Sequence, residues 1–195
     1  KPLLLASAHP TIFSVGLDLK HVTGLLQQDA LFPELRDKNI TTFVQKLNRF
    51  FIELASHPAP TLALVNGHAI AGGAVLSLAC DFRVASTGFH SKKSKSDEWS
   101  STIKPFMFQL KEIQLGLPLP SGVFSMLSYA LPQYTFKEAA LSGRIYKSGT
   151  NEVLQRGIFH HQVAAPSADV LLDEGVNYMN QVFPDRNNMD VYAQV

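Results

Sequence analysis

The sequence is poor in several features that mark specialised classes of protein. It has one cysteine, Cys80, in 195 residues, which excludes a disulfide framework and suits a reducing compartment. Charged residues make up 17%, and 17 basic against 16 acidic side chains give a net charge of +1, which argues against a charged disordered tail and a nucleic-acid-binding face. No apolar run reaches the ~20 residues of a membrane-spanning helix. The 46% of apolar residues favour one soluble globular domain with a small-molecule site.

Apolar segments of two kinds alternate along the chain. Short apolar runs at 3–7 and Thr61–Val65 predict buried strands, and 82–85 predicts another. Residues 42–56 repeat apolar side chains at helical spacing, Phe50 among them, and predict an amphipathic helix with one buried stripe. This alternation predicts an α/β or mixed α+β fold.

The segments between these elements are polar or rich in small residues. Residues 11–20 are loop-like, and 66–73 form a turn that leads into a short apolar helix at 74–79. Residues 86–104 are rich in lysine and serine, so we expect an exposed and mobile loop there.

The last third of the chain has a mostly helical pattern. Residues 135–138 form a capping box, and Gly143 ends the helix that follows it. Two more helices are predicted at 150–156 and 167–182, with a strand at 158–164 between them.

The turn at 66–73 is the most informative feature for function. Its three glycines fit neither the dinucleotide fingerprint nor the phosphate loop. A strand, a tight turn and a helix start leave backbone N–H groups free for an anion or a developing oxyanion. The glycines could equally serve close backbone packing, and the pattern alone leaves both interpretations open.

Four stretches, in this order, resemble motifs of one family. They are Phe13-Ser14-x-Gly16-x-Asp18-Leu19, Pro58-x-Pro60-x-x-Ala63-x-Val65-Asn66-Gly67-x-Ala69-x-x-Gly72-Gly73, Cys80-Asp81-Phe82-Arg83-Val84-Ala85 and Glu112-Ile113-Gln114-Leu115-Gly116. They are similar to F-S-A-G-A-D-L, P-x-P-x-I-A-A-V-N-G-x-A-x-G-G-G, C-D-x-R-I-A and E-I-x-L-G. Over about residues 3–165 the chain therefore resembles the crotonase superfamily, the enoyl-CoA hydratase/isomerase group.

The resemblance implies a fold and an assembly. We expect a mixed α/β spiral of ββα units with two nearly perpendicular sheets and a helical C-terminal part. Residues 1–130 would form the spiral core, and 131–195 a trimerisation region, so a homotrimer or hexamer is expected. The family's first strands would precede Leu3, so the sequence is expected to be a partial view of the protein.

The resemblance also implies a site for an acyl-CoA thioester. Two backbone N–H groups would stabilise the enolate oxygen, and a glutamate would move the proton. Coenzyme A is part of the substrate, so no separate cofactor and no metal are expected. The implied oxyanion-hole donors are Leu17 and Gly72, the acid/base is Glu112, and the substrate contacts are Ser14, Asp18, Leu19 and Lys20.

Two departures from the family pattern bear on the reaction. Val75 stands where hydratases of the family have a second glutamate, and Ala71 replaces the first glycine of the motif. One carboxylate is enough to carry a proton between C2 and C4, so the sequence favours a Δ3,Δ2-enoyl-CoA isomerase. Glu112 would then need a pKa raised by apolar surroundings; otherwise it is a surface glutamate paired with Lys111.

Two other functions stay open. One is hydratase or other acyl-CoA chemistry with a second group from an inserted loop at 88–108. The other is a non-catalytic acyl-CoA binder of the same fold. The compartment is not fixed by the sequence, since both peroxisome and mitochondrion fit.

Three remaining polar features favour structural roles. Cys80 has no helix start or base nearby, so we expect a buried thiol. Asp81 is expected to brace a turn. His160 and His161 lack a third ligand at useful spacing and do not predict a metal site.

Overall fold

The structure is a computed structural model that describes residues 1–18, 20–22, 24, 33–92 and 99–184. Its strands are β1 (Leu3–Ala6), β2 (Ile12–Ser14), β3 (Thr61–Val65), β4 (His68–Ile70), β5 (Phe82–Ser86), β6 (Phe89–Lys92), β7 (Trp99–Lys104), β8 (Met107–Gln109), β9 (Tyr146–Lys147) and β10 (His161–Val163). Its helices are α1 (Pro33–Ala55), α2 (Gly72–Leu78), α3 (Ser121–Ala130), α4 (Gln133–Ser142), α5 (Asn151–Gln155) and α6 (Ala168–Val182). A 3-10 helix spans Glu112–Leu115.

Two sheets organise the described part of the chain. One has the order β1-β3-β5-β10 with parallel neighbours throughout. The other has the order β2-β4-β8-β9, in which only β9 runs antiparallel to its neighbour. The first five strands alternate between the two sheets: β1 and β2 precede α1, and β3 and β4 precede α2. This repetition of ββα units confirms the predicted fold class.

Strand β3 is buried along its whole length, as its apolar sequence predicts. Its side chains alternate between two apolar clusters, with Ala63 and Val65 in the larger one and Leu62 and Leu64 in the smaller one. Helix α6 covers the smaller cluster through Gly175, where a Cβ would lie 2.4 Å from a methyl group of Leu64. The first sheet is therefore closed on both faces at its centre.

Most predicted elements are confirmed with small changes of boundary. Strands β1, β5 and β10 and helices α2, α5 and α6 lie where the patterns place them. Helix α1 begins at Pro33 rather than at 42. Phe50 is 51% exposed, so its inclusion in the buried stripe is wrong. Its neighbour Phe51 is buried instead, at 5% exposure.

Two short strands lie in segments that the sequence predicts as loop and turn. Strand β2 lies within 11–20 and β4 within 66–73, and the two strands pair with each other through Ile12 and His68. Each has only three residues. Because three residues carry almost no periodic pattern, only the pairing between distant segments makes them strands.

The loop predicted at 86–104 is wrong where that segment is described. Strands β6 and β7 pair antiparallel, with Phe89 opposite Lys104 and His90 opposite Ile103. Residues 93–98 lie outside the described residues. Apolar side chains near both ends of this polar segment allow the strands to pair, and composition alone missed this.

The capping box predicted at 135–138 is also wrong. Helix α4 begins at Gln133, so Thr135 lies inside it and is buried. Glu138 instead accepts hydrogen bonds from Arg144 and from the hydroxyl of Tyr146. The predicted stop is confirmed, since Gly143 adopts a left-handed conformation with φ 62°.

The segment after residue 130 supplies β9 and β10 as well as helices, so it contributes to both sheets. The division into a core and a trimerisation region stays a prediction. None of the described helices combines the length and apolar composition needed to cross a membrane.

Candidate functional site

Two glycine-containing segments meet where β2 and β4 end. A Cβ on Gly16 would lie 2.7 Å from the backbone nitrogen of Gly72, and one on Gly73 would lie 2.0 Å from the carbonyl oxygen of Ser14. Contacts below 3 Å are not tolerated between a Cβ and backbone atoms. Both glycines therefore serve close approach, which brings the first motif of the sequence against the second.

The two predicted oxyanion-hole residues lie together at this contact. The backbone nitrogen of Leu17 is 3.6 Å from the point that a Cβ on Gly72 would occupy. Neither N–H donates a hydrogen bond to any residue in the described part of the chain. Two neighbouring donors without acceptors can receive a ligand oxygen.

Ala71 orients the second donor at a conformational cost. Its φ of 52° and ψ of −127° lie in a region that residues with a Cβ rarely adopt. Its N–H donates to the carbonyl of Gln109 (2.8 Å), and its carbonyl accepts from the N–H of Val75 (3.0 Å). These two bonds hold Ala71 in its strained conformation and so fix the direction of the following N–H group, which belongs to Gly72.

The predicted substrate contacts lie beside the hole, with one exception. The hydroxyl oxygen of Ser14 accepts a hydrogen bond from the N–H of Gly16 (3.2 Å). Asp18 Oδ1 accepts from the N–H groups of Lys20 (2.9 Å) and His21 (3.4 Å), so it caps a helical turn. The side chains of Asp18 and Lys20 are exposed. Leu19 lies outside the described residues.

Glu112 begins the 3-10 helix that follows β8. Gln109, three residues earlier, accepts the hydrogen bond from Ala71, and three residues span at most about 11 Å. Glu112 therefore lies three residues along the chain from the backbone bond that holds the turn before Gly72. No ion pair forms between Glu112 and the adjacent Lys111 within the described residues, so the surface-pair alternative is not supported.

One oxygen of the Glu112 carboxylate is buried and has no hydrogen-bond partner in the described part of the chain. This oxygen, Oε2, is inaccessible to water. Burial raises the pKa of Glu112, and the backbone N–H groups of Glu112 and Lys111 oppose this rise in part. A carboxylate in this state holds and releases a proton closer to neutral pH than a solvated one.

Val75 is buried at 2% exposure on α2, one turn after Gly72. Its side chain belongs to the larger apolar cluster and offers no group that could bind a proton or a water molecule. Of the two acidic side chains predicted at the site, Asp18 is exposed and caps a turn, and Glu112 is the half-buried one.

The other polar features take the structural roles predicted for them. Cys80 is buried and its pKa rises to about 12 because of burial. Asp81 Oδ2 accepts from both the N–H and the hydroxyl of Thr61 at 2.7 Å, which braces the start of β3 against β5. His160 accepts a hydrogen bond from the N–H of Arg83 (3.1 Å), and partial burial beside that cation lowers its pKa to about 4. No cluster of metal-ligating side chains occurs among the residues described.

Sequence reasoning missed two glutamines next to Glu112. Gln109 is buried at 5% exposure and donates to the carbonyl of Gly143 (2.7 Å) and to Gln114 Oε1 (3.2 Å). Gln114 Nε2 donates to the same carbonyl (3.2 Å). No pattern in the sequence marks either residue, because the bonds join segments that are distant along the chain.

Known proteins share both the sequence and the fold. The profile of the family described as Enoyl-CoA hydratase/isomerase matches residues 1–194. The chain is 35% identical over 162 residues to the human mitochondrial enoyl-CoA hydratase domain-containing protein 2, covering 83% of this chain and 46% of that protein. It is 32% identical over 87 residues to mouse mitochondrial methylglutaconyl-CoA hydratase, covering 45% and 24%.

A solved structure shows the same fold at lower identity. The crystal structure of an enoyl-CoA hydratase from Mycobacterium marinum superposes with a TM-score of 0.71 and 21% identity, over 99% of this chain and 69% of that one. The chain spans less than half the length of each of the two relatives named above. Since the family profile matches almost all of its residues, the chain belongs to the enoyl-CoA hydratase/isomerase family.

Proposed function

We propose that this chain carries the active site of an enoyl-CoA isomerase, which converts a 3-enoyl-CoA into a 2-enoyl-CoA with Glu112 as its single acid/base. The observation that carries the proposal is the buried Oε2 of Glu112, which has no hydrogen-bond partner in the described part of the chain. A carboxylate that burial leaves unpaired is available to a substrate proton.

The N–H groups of Leu17 and Gly72 would hold the thioester oxygen. Their neighbouring positions and lack of acceptors among the described residues fit an oxygen on which negative charge develops. Ser14, Asp18 and Lys20, in β2 or just after it, would contact the coenzyme A part of the substrate. The resemblance assigns the same role to Leu19. The coenzyme belongs to the substrate, so no further cofactor is proposed.

The reaction needs one proton and no net change of atoms. Glu112 takes a proton from C2, and the electron pair of that C–H bond forms an enolate whose oxygen accepts the two hydrogen bonds. The same carboxyl group returns the proton to C4, which moves the double bond from C3–C4 to C2–C3. A raised pKa suits both half-reactions, because the group must accept and then donate.

Hydration is the second candidate, and the names of the relatives favour it: two of the proteins above are called hydratases. Addition of water in this family is expected to use two glutamates. The buried Val75 at the second position supports isomerisation instead. A hydratase would need another polar group, for example from residues 88–108.

A single pair of assays tests these functions. Purified protein is given a 3-enoyl-CoA, and the conjugated 2-enoyl-CoA is followed by absorbance; water addition to a 2-enoyl-CoA is followed separately. We expect isomerisation that falls by about 10²–10⁴-fold in Glu112→Gln, the usual contribution of a general acid/base. Glu53→Gln, the same change at an exposed glutamate paired with Arg49, should leave the rate unchanged.

The outcomes separate the functions. Thioester binding without turnover would overturn the isomerase and support the non-catalytic binder. Water addition that survives Glu112→Gln would support hydration with a different base. Isomerisation that survives Glu112→Gln would remove Glu112 from the chemistry.

We also propose that the protein assembles as a homotrimer or hexamer through its helical C-terminal part together with helix α3, which directly precedes it. Helices α3 and α4 expose large side chains that a monomer would leave in water: Phe124 at 47%, Tyr129 at 92%, Tyr134 at 64% and Leu141 at 69%. Sedimentation of the wild type against Tyr129→Ser tests this, since a trimer interface there should weaken in the variant.

A further inference from the structure

We propose that Gln109 and Gln114 are positioning residues for Glu112. With the carbonyl of Gly143 they form a hydrogen-bonded unit, here called the glutamine clamp, that holds the 3-10 helix carrying Glu112 against the end of α4. The functional part of this inference rests on the proposed role of Glu112 as acid/base.

The three side-chain hydrogen bonds of the clamp all run between Gln109, Gln114 and Gly143. Gln109 Nε2 donates to the carbonyl of Gly143 (2.7 Å) and to Gln114 Oε1 (3.2 Å), so both N–H bonds of that amide are used. Gln114 Nε2 donates to the same carbonyl (3.2 Å). A Cβ on Gly143 would meet the Gln114 amide at 2.9 Å, so the glycine also gives the amide its space.

The clamp links the two halves of the candidate site. The carbonyl of Gln109 accepts from the N–H of Ala71, which precedes the predicted donor Gly72. The side-chain amide of Gln109 also donates to Gln114, and Glu112 lies between these two residues in the sequence. The backbone carbonyl of Gln109 therefore contacts the turn with the predicted oxyanion-hole donor. Its side-chain amide contacts Gln114, which lies on the same 3-10 helix as Glu112.

The 3-10 helix has little else to hold it. It has four residues, none of them fully buried, and its apolar members Ile113 and Leu115 are 49% and 43% exposed. Such a turn has poor hydrogen-bond geometry and is marginal on its own. Because apolar packing does not fix it, the two amides are the described contacts that tie it to α4.

Loss of the clamp should therefore change the surroundings of Glu112 as well as its position. A turn that opens lets water reach the carboxylate, and the pKa of Glu112 then falls towards that of a solvated glutamate. The charged groups of α4 do not offset this: Lys137 is exposed, and Glu138 is paired with Arg144 and Arg156. The side chain of Lys111 is also exposed.

The test uses Gln→Met substitutions, which keep length and remove the amide. Gln114→Met changes an exposed residue and should fold; Gln109→Met changes the buried partner, and Gln155→Met on α5 is the matched control. For isomerisation we expect kcat to fall about 10-fold in both clamp variants, KM to stay within about twofold, and the acid limb of the pH profile to move to lower pH. The control should match the wild type.

A second readout does not depend on activity. In protein labelled with 13C at the glutamate side-chain carboxyls, the Glu112 signal, assigned by its loss in Glu112→Gln, gives the titration midpoint of that group. A lower midpoint in both clamp variants supports the clamp even if the wild type isomerises nothing, in which case only the proposed function fails. An unchanged midpoint, or a loss of kcat that only follows the folded fraction, overturns the positioning role.

Discussion

Arg83 is a buried ionisable residue and Glu112 is a half-buried one, and the polar atoms of the two side chains have different surroundings. The guanidinium of Arg83 donates to four carbonyl groups and forms no ion pair with a carboxylate among the described residues. These are the carbonyls of Ile158 (2.8 Å), Cys80 (3.1 Å), Ala130 (3.2 Å) and Gly157 (3.4 Å). Burial lowers the pKa of Arg83 to about 10, so it stays charged near neutral pH. Glu112 keeps an oxygen with no partner among the described residues.

The difference separates a structural charge from the one that we propose to be reactive. Arg83 links β5 to the turn after α5 and to the end of α3. Because these N–H groups already donate to carbonyls of the fold, they are not available to a ligand. An unsatisfied buried acceptor is costly to a fold, and it is kept where a substrate supplies the missing donor. Four predictions follow this contrast, from the largest effect to the smallest.

Arg83→Met should cause the largest loss of stability. It takes a donor from four carbonyls, of which those of Ile158 and Cys80 are buried and those of Ala130 and Gly157 are half-buried. Each buried unsatisfied group costs about 1–3 kcal/mol, so we expect the free energy of unfolding to fall by about 3 kcal/mol or more. Urea denaturation measures this. Arg49→Met, which removes only an exposed pair with Glu53, should leave the free energy of unfolding nearly unchanged. A similar small loss at Arg83 would break the contrast.

Gly16→Ala should disable the oxyanion hole. Its Cβ would lie 2.7 Å from the nitrogen of Gly72, and loss of one such donor costs about 10²-fold in kcat. Gly149→Ala is the matched control, since it shares a positive φ and a 2.7 Å contact with backbone, that of Thr87. Both should lower the thermal midpoint; equal kcat per folded molecule in the two variants would contradict the assignment of Gly72.

Ala71→Gly should stabilise the protein. Relief of a strained φ of 52° is worth about 1–3 kcal/mol, and the added freedom of the unfolded chain offsets part of it, so we expect a gain of about 1 kcal/mol. Ala79→Gly, where φ is an ordinary −74°, should lose stability instead. The pair is compared by urea denaturation, and a loss at both positions would show that Ala71 is not strained.

Glu112→Gln should raise stability only at higher pH. A folded pKa above the unfolded value means that the native state binds the extra proton, so wild-type stability is full below about pH 4 and falls as pH rises through the folded pKa. Glu112→Gln has no carboxyl group at this position, so its stability does not fall for this reason as the pH rises. We expect a gain of about 1 kcal/mol or less at pH 8 and none at pH 3.5, measured by urea denaturation; the opposite trend would show a carboxylate that the fold stabilises.

The fold was largely predictable because its motifs occur in a fixed order and its longer strands are apolar. Strand β3 and the stop at Gly143 could be assigned from local pattern alone. Strands β2 and β4 and the hairpin of β6 and β7 could not, because pairing between distant or polar segments forms them.

The candidate site was predictable only where it uses the motifs. Leu17 and Gly72 follow from the resemblance, since backbone donors do not depend on side-chain identity. The positive φ of Ala71 and the bonds between Gln109, Gln114 and Gly143 depend on tertiary contacts that leave no mark in the sequence.

The central claim is that Glu112 removes the proton next to a thioester carbonyl held by two backbone N–H groups. Exchange of the C2 protons of a saturated acyl-CoA in D2O, followed by NMR, tests it without requiring isomerisation or hydration. If Glu112 is the base, the wild type exchanges these protons and Glu112→Gln shows no exchange above background at equal thioester binding. Exchange that persists in Glu112→Gln, or a wild type that binds the thioester and exchanges nothing, would contradict it.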